Sequence, residues 1–489
     1  MSVLAIDAGT TGVTAVVVDD DGTIAATGYQ EFGQHFPQPG WVEHAPEEIW
    51  QATLEATRDV LKKCDRSSLQ AVGITNQRET ILLWDRETMG SPRRAIVWQD
   101  RRTADICKRL RDEGHEDRVT ELTGLRLDPY FSGTKLAWLA EHEPHTWALV
   151  ESGRYAVGTV DSYLIARMTR GTYHVTDVSN ACRTLLLDLS EGDWSDELCS
   201  LFGVPRDALP ELVPNWGEVA TTDPRSFLDL SLPIAGIAGD QQSALFGQTC
   251  FDEGDSKCTY GTGSFILTNT GTTLERSDAG LLSTAAWRSP DGELTYALEG
   301  AIFVTGAAVQ WLRDGLQIVG SAAETAAIAA TVPDSQGVVF VPALTGLGAP
   351  HWDPHARGLL IGMTRGTTRA TSSARRSRRS RSRCATCSRR CRLAPRCGST
   401  AEPPPTTCSA RSRPTRSAYP LSARRSSRPP HWAPPSSPAS APGSGPPPTS
   451  SATPGAWTHL FEPTSDRTRA DAAHTPLAEG RRPLEGLAD

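Results

Sequence analysis

Two strand–turn–strand units of the same kind, about 250 residues apart, constrain this chain more than any other feature. The first opens the sequence, with an apolar strand from Val3 to Ile6, the turn Asp7-Ala8-Gly9-Thr10-Thr11-Gly12, and a second strand from Val13 to Val18. The second unit runs from Lys257 to Asn269 and turns at Gly261-Thr262-Gly263. Glycines let backbone N–H groups approach phosphate oxygens, threonine hydroxyls add donors, and a carboxylate at the strand end, here Asp7, can hold Mg²⁺ directly or through water. A tight hairpin whose small residues only satisfy turn geometry is the plainer alternative. The recurrence predicts a duplicated architecture with one phosphate-gripping hairpin per domain. No GxxxxGK[ST] run occurs, which argues against a P-loop enzyme.

Strands and helices alternate from the first unit to about Gly247, the pattern of an α/β domain. After Asp19-Asp20-Asp21-Gly22, Thr23 to Gly28 reads as a third strand. A helix begins at Pro46-Glu47-Glu48 and reaches about Lys63, with Pro in the first turn and acids at the positive end of the helix dipole. Ala71 to Thr75 is the next buried strand, and Arg78-Glu79 follow it directly. An Arg that donates beside a Glu that accepts suits the adjacent hydroxyls of a polyol; a surface ion pair is the alternative. Trp98 packs either on a carbon chain or in the core. Asp240, in Gly236 to Gln242, follows an apolar strand among small residues and amides, where a general base for a substrate hydroxyl would sit. A buried structural Asp is the alternative there.

The composition then breaks. Thr371 to Trp457 holds sixteen Arg, no Lys and one acid, Glu402, so this stretch carries +15 while the rest of the chain carries 33 − 56 = −23. Its only aliphatic residues larger than Ala are Leu393 and Leu421, too few to offset the entropy of ordering it. The strongly acidic remainder argues against nucleic acid as a partner. No run of about 18 apolar residues is present to span a bilayer. The amino terminus has no basic n-region or apolar h-region, so the expected address is the cytosol. Six scattered cysteines, Cys64, Cys107, Cys182, Cys199, Cys250 and Cys258, read as reduced packed thiols.

Long runs, among them PGWVEHAPEEIW, GITNQRETILLW, AIVWQDRRTA, DPYFSGTKLAW, AGDQQSALFGQ, TYGTGSF, ALEGAIF and TGLGAPHWDPHARG, closely resemble the glycerol kinases of the FGGY carbohydrate kinase family from Leu4 to about Arg369. The resemblance implies a two-domain actin-like ATPase (ribonuclease H-like) α/β fold. It also implies transfer of the ATP γ-phosphate to glycerol, giving sn-glycerol 3-phosphate; a kinase for another small polyol or sugar of the superfamily is the alternative. By motif, Arg78, Glu79, Tyr130, Asp240 and Gln241 would contact glycerol, Trp98 and Phe265 would line its carbons, and Asp240 would be the base. Thr10, Thr11 and Gly12 would meet the ATP phosphates, Thr262, Gly306 and Gln310 the nucleotide from the second domain, and Asp7 would position Mg²⁺. Thr14 stands where many relatives have Arg. Glycerol and ATP are the expected partners, with no membrane span and room for a homo-oligomer.

The domains implied are 1–247 for glycerol and 248–370 for the first part of a nucleotide domain, which is incomplete as written. After Arg369 the family supplies a long helix, a Val-Asp-Gly-Gly-Ala strand–turn and a further helix, and the chain gives Arg/Ser/Pro text instead. A disordered basic tail, a zinc module around Cys384, Cys387, Cys391 and Cys397, and a change of reading frame compete to explain this. The cysteine cluster lacks nearby His and paired spacing. The genetic code favours the third explanation. Codons built from the third base of one residue and the first two of the next let Cys397 to Thr406 read Arg-Val-Asp-Gly-Gly-Ala-Ala-Ala followed by Asn or Asp. The same offset lets Pro430 to Gly443 begin Ala-Leu-Gly-Ala-Ala, and Cys384 to Ser388 permits Arg-Asp-Val-Leu. Thus 371–457 reads as out of frame and disordered, and 458–489 as a remnant whose frame changes again near Thr475. The lost second-domain helices are expected to uncover Phe303 and Val339.

Overall fold

The computed structural model of the chain describes residues 1–353, 355–370 and the backbone of one further strand at 396–401. The zinc-like cysteine cluster, the disordered tail and the 458–489 remnant expected from sequence lie outside the described residues, apart from that strand.

The opening hairpin forms as read. Strands β1 (Ser2–Ala8) and β2 (Gly12–Asp19) pair antiparallel, with Asp7 opposite Thr14, and β3 (Ile24–Glu31) continues the meander. Their alternation buries Leu4, Ile6, Val13, Ala15 and Val17 on a shared face. Helix α1 (Pro46–Leu61) covers that face with Ile49, Trp50 and Val60. The third strand runs past the expected Gly28 because its backbone keeps pairing with β2 as far as Gly12 opposite Glu31. Gly28 itself lies against α1, and a Cβ there would drive into the carbonyl oxygen of Ala56. Gly28→Ala is therefore expected to lower the unfolding free energy by about 1–3 kcal/mol, read from urea denaturation.

Strand β4 (Leu69–Asn76) lies parallel to β1 on its other side. Helices α2 (Ser132–His142) and α3 (Val178–Ala181) precede β5 (Trp216–Thr221) and β6 (Pro233–Gly239), and β6 pairs parallel to β4. The first sheet has the order β5-β6-β4-β1-β2-β3. Helix α4 (Asp240–Gly247) leaves its end directly from β6.

The second sheet repeats the plan. Strands β7 (Asp255–Tyr260) and β8 (Ser264–Gly271) form the second hairpin, followed by β9 (Leu282–Arg288) and β10 (Leu294–Ile302), then the short helix α5 (Gly306–Gln310). Strand β10 is antiparallel to β8, as β3 is to β2. Strand β11 (Arg396–Ala401) is parallel to β7, as β4 is to β1. The order is β9-β10-β8-β7-β11. The duplication expected from the two Gly/Thr turns is present as two sheets with equivalent strand directions.

One apolar cluster joins Phe131 and Leu136 of the first half to Leu267, Ala301 and Phe303 of the second. Phe303 and Val339 are each only 6% exposed, so the expected uncovering does not occur. Tyr130, Trp352 and the Arg101 guanidinium surround the Phe303 ring. Val339 is held in a two-stranded ladder opposite Ile361. Among the described residues all six cysteines are free thiols, five of them buried, and no helix is long and apolar enough to cross a membrane.

Candidate active site

Three parallel strands bring the candidate residues to one edge of the first sheet. Ala8 of β1, Asn76 of β4 and Gly239 of β6 share one register row. Asp7 just before that row, and Arg78, Glu79 and Asp240 just after it, therefore gather at the carboxyl ends of the strands, where open α/β sheets bind ligands.

Arg78 and Glu79 are not a surface pair: their side chains are 1% and 2% exposed. The main partner of Arg78 is Glu299, an acid within β10 of the second sheet. Nη1 donates to its Oε2 at 2.7 Å and Nη2 to its Oε1 at 3.2 Å. Nη2 also reaches the Tyr130 hydroxyl at 3.3 Å, and Nε lies 3.3 Å from Asp240 Oδ1. Arg183, just after α3, completes a ring by donating Nε to Glu79 Oε1 at 2.8 Å and Nη2 to Glu299 Oε1 at 2.9 Å. Burial alone would push Glu299 up, but Arg183 and Arg78 prevail and hold it at about 2. Glu79 is instead raised, because burial and the nearby Glu299 outweigh its share of the two arginines. The Glu79 backbone is left-handed, with φ 62, a conformation that non-glycine residues keep where surrounding contacts enforce it. Its carbonyl accepts from Ser132 Oγ at 3.1 Å and from the buried Lys135 Nζ at 3.4 Å.

Over this ring sits an aromatic box. Trp98 meets Tyr130 edge-on at 5.8 Å and Phe265 at 6.2 Å between centroids, and Arg78 lies 6.0 Å from the Phe265 ring. All three rings are buried, and Phe265 comes from the second sheet. Asp240 is partly open, with 38% of its side chain exposed. Its Oδ1 accepts from the Gln241 backbone N–H at 2.7 Å and its Oδ2 from Gln241 Nε2 at 3.1 Å. The structure thus brings together all seven residues that the sequence suggested for the polyol.

The first Gly/Thr turn adjoins this box, because Trp98 Nε1 donates to Thr10 Oγ1 at 3.0 Å. Gly12 has no room for a side chain; a Cβ would come within 2.7 Å of both the Gln30 carbonyl oxygen and the Tyr29 hydroxyl. Thr11 is exposed. In the second half, the start of α5 closes on the Gly261-Thr262-Gly263 turn: Gly306 N–H donates to Gly261 O at 2.9 Å and Ala307 N–H to Thr262 O at 3.1 Å. A Cβ on Gly306 would lie 2.5 Å from the Gly261 oxygen, so glycine is what allows this approach. Gln310, exposed and one turn further along α5, lies outside the aromatic box.

Among the described residues no cluster of three or more acids, histidines or cysteines forms a metal cage. Asp7, exposed at the end of β1, suits Mg²⁺ nonetheless, since that ion keeps several waters and takes one or two carboxylates together with substrate phosphates.

Sequence reasoning missed Glu299, Arg183 and Lys257. For Glu299 the signal was a lone charge inside the apolar strand Leu294–Ile302, whereas Arg183 and Lys257 stand in polar surroundings that carry no such mark; all three charged groups prove fully buried.

Two sheets of equivalent plan, each opening on a glycine-tight Gly/Thr hairpin, are the architecture of the two-domain actin-like ATPase class. Residues 2–247 match the N-terminal domain of the FGGY family of carbohydrate kinases, and residues 256–376 match its C-terminal domain. The chain belongs to that family. It is 54% identical over 367 residues to the glycerol kinase of Methylobacterium nodulans, covering 75% of this chain and 73% of that one. It is 52% identical over 370 residues to the glycerol kinase of Bordetella parapertussis, with the same coverage of each. Among solved structures, Plasmodium falciparum glycerol kinase with ADP superposes with a TM-score of 0.68 at 34% identity, over 77% of this chain and 75% of that chain. A xylulose kinase from Lactobacillus acidophilus, at 20% identity and a TM-score of 0.70 over 82% of this chain and 81% of that one, shares the fold.

Proposed function

We propose that this protein is a cytosolic kinase that transfers the γ-phosphoryl group of ATP to a terminal hydroxyl of glycerol, giving sn-glycerol 3-phosphate. The observation that carries the reading is the polyol box, with the Arg78–Glu79 pair buried beneath it, Asp240 open at its mouth and Thr10 tied to its wall by Trp98. Arg78 and Tyr130 would donate to or share a hydroxyl, Glu79 would accept from one, and Trp98 and Phe265 would cover the carbons. Asp240 takes the proton of the attacking hydroxyl. Backbone N–H groups and hydroxyls of Thr10, Thr11 and Gly12, with Thr262, Gly306 and Gln310 opposite, hold the nucleotide, and Mg²⁺ near Asp7 offsets phosphate charge when bound.

The reading extends to the break in the chain. Residues 1–247 form the glycerol domain, 248–370 begin the nucleotide domain, 371–457 are written out of frame and 458–489 are its remnant. The register of β11 supports this. Thr400 pairs with Thr259 and Ala401 with Tyr260, so the strand runs up to the Gly261 turn. In the alternative frame that strand carries Arg-Val-Asp-Gly-Gly, and its two glycines fall at the level of Thr259 and Tyr260, beside the phosphate turn. The chain as written keeps the backbone there and loses the glycines.

A second reading is favoured by the same asymmetry: a complete polyol box beside an unfinished nucleotide half describes a glycerol-binding remnant without turnover. Calorimetric titration of the purified chain with glycerol and with a non-hydrolysable ATP analogue, alongside an assay for glycerol 3-phosphate, separates the two. Glycerol uptake with analogue binding and product formation supports the kinase; glycerol uptake alone supports the remnant.

A further inference from the structure

We infer that Lys257 of β7 is a positioning residue for the polyol site: it fixes the amide of Gln241 and, through that amide, the carboxylate of Asp240. The inference rests on the reading of Asp240 and Gln241 as substrate-facing groups and deepens it.

Lys257 is wholly buried. Its ammonium donates to Gln241 Oε1 and, at 2.9 Å, to Thr259 Oγ1, both neutral acceptors. A buried ammonium whose hydrogen bonds go only to neutral groups is costly, and burial pushes this one down to about 8 although the nearby Asp240 and Glu299 carboxylates pull the other way. An apolar side chain would fill the same space without that cost, so the charge calls for another role.

The amide geometry supplies one. A glutamine amide can present its oxygen or its nitrogen in a given direction, whereas an ammonium has only donors. Lys257 therefore forces the Gln241 oxygen toward itself and turns the Gln241 NH₂ the other way. There, Nε2 donates to Asp240 Oδ2 at 3.1 Å. The other oxygen, Oδ1, is already held by the Gln241 backbone N–H at 2.7 Å and by the nearby Arg78 Nε at 3.3 Å. Lys257 thus decides whether Asp240 meets a donor or an acceptor from Gln241. A flipped amide would set oxygen against carboxylate and turn Asp240 away from the hydroxyl it serves. Gln241 and Asp240 begin α4 at the end of the first sheet, while Lys257 lies in the second, so this orientation also depends on how the two halves meet.

The test is calorimetric titration of glycerol into the purified 489-residue chain and into Lys257→Met, Lys257→Gln, Gln241→Met and the Lys257→Met/Gln241→Met double variant, with thermal unfolding of each. Lys257→Met is expected to weaken glycerol binding about tenfold while its unfolding midpoint stays level or rises. Lys257→Gln, whose NH₂ can face the Gln241 oxygen, is expected to recover most of the loss and serves as the test variant if Lys257→Met does not fold. In the Gln241→Met background, Lys257→Met is expected to cost less than about twofold, because the residue through which it acts is gone. Parent-like affinity in Lys257→Met, multiplying effects in the double variant, or an affinity loss accompanied by a fall in the unfolding midpoint would each overturn the inference. A parent chain that takes up no glycerol would remove the polyol reading and this inference with it, whereas a binding parent with a parent-like Lys257→Met removes only the inference.

Discussion

Replacing Asp240 by Asn in a frame-restored chain is expected to lower glycerol phosphorylation by about 10²–10⁴-fold while glycerol affinity falls by no more than about tenfold. The substitution keeps the shape at the start of α4 and an oxygen for the Gln241 backbone N–H, which lies 2.7 Å from Oδ1, while its NH₂ replaces the Oδ2 that accepts from Gln241 Nε2 at 3.1 Å, which accounts for the smaller loss in affinity. What disappears is a group that can take a proton. Arg78 loses only one neighbour, since Glu299 holds it with two hydrogen bonds, so the polyol box should stay in place. Steady-state rates and glycerol titration on the same preparation check the split. Turnover within tenfold of the parent would show that another group accepts the proton.

The second large effect is expected from the chain break. Restoring the frame from about codon 371 to codon 457, and again after codon 475, is expected to raise turnover by at least about 100-fold over the 489-residue chain as written. The gain should appear mainly in nucleotide binding and in turnover, with glycerol affinity nearly unchanged, because every residue of the polyol box precedes Thr371. The comparison needs both proteins purified in parallel and the gene resequenced across codons 365 to 480. A written chain that turns over as fast as the restored one, or a gene with no insertion or deletion relative to its close relatives, would defeat the frame reading.

Much of this was legible in the sequence, and the reason differs by element. The β1–β2 hairpin was readable because a glycine–threonine turn between two apolar strands has few other ways to fold. Helix α1 was readable because Pro46 and the two acids after it mark its start. The end of β3 was not, since its far half is largely exposed and only pairing with β2 extends it to Glu31. Arg78, Glu79 and Asp240 were visible as charges placed directly after apolar strands. Their burial was invisible, because it depends on Glu299, which is 221 residues from Arg78 along the chain. Local pattern reports on neighbours in sequence, and the ring of Arg78, Glu79, Arg183 and Glu299 is built almost wholly from distant ones. Lys257 was hidden for the same reason: a lysine in a strand ordinarily points to water, and only packing of α4 against the second sheet closes it in.

Strand β11 carries a practical warning. Its ladder with β7 is made from main-chain groups, which every residue other than proline offers alike, so the sheet edge accepts a strand without inspecting what it spells. Solubility, circular dichroism and even a glycerol titration would therefore report a sound molecule. On the frame reading, only the gene itself or a measurement that interrogates the nucleotide would register a change of text beside the second Gly/Thr turn.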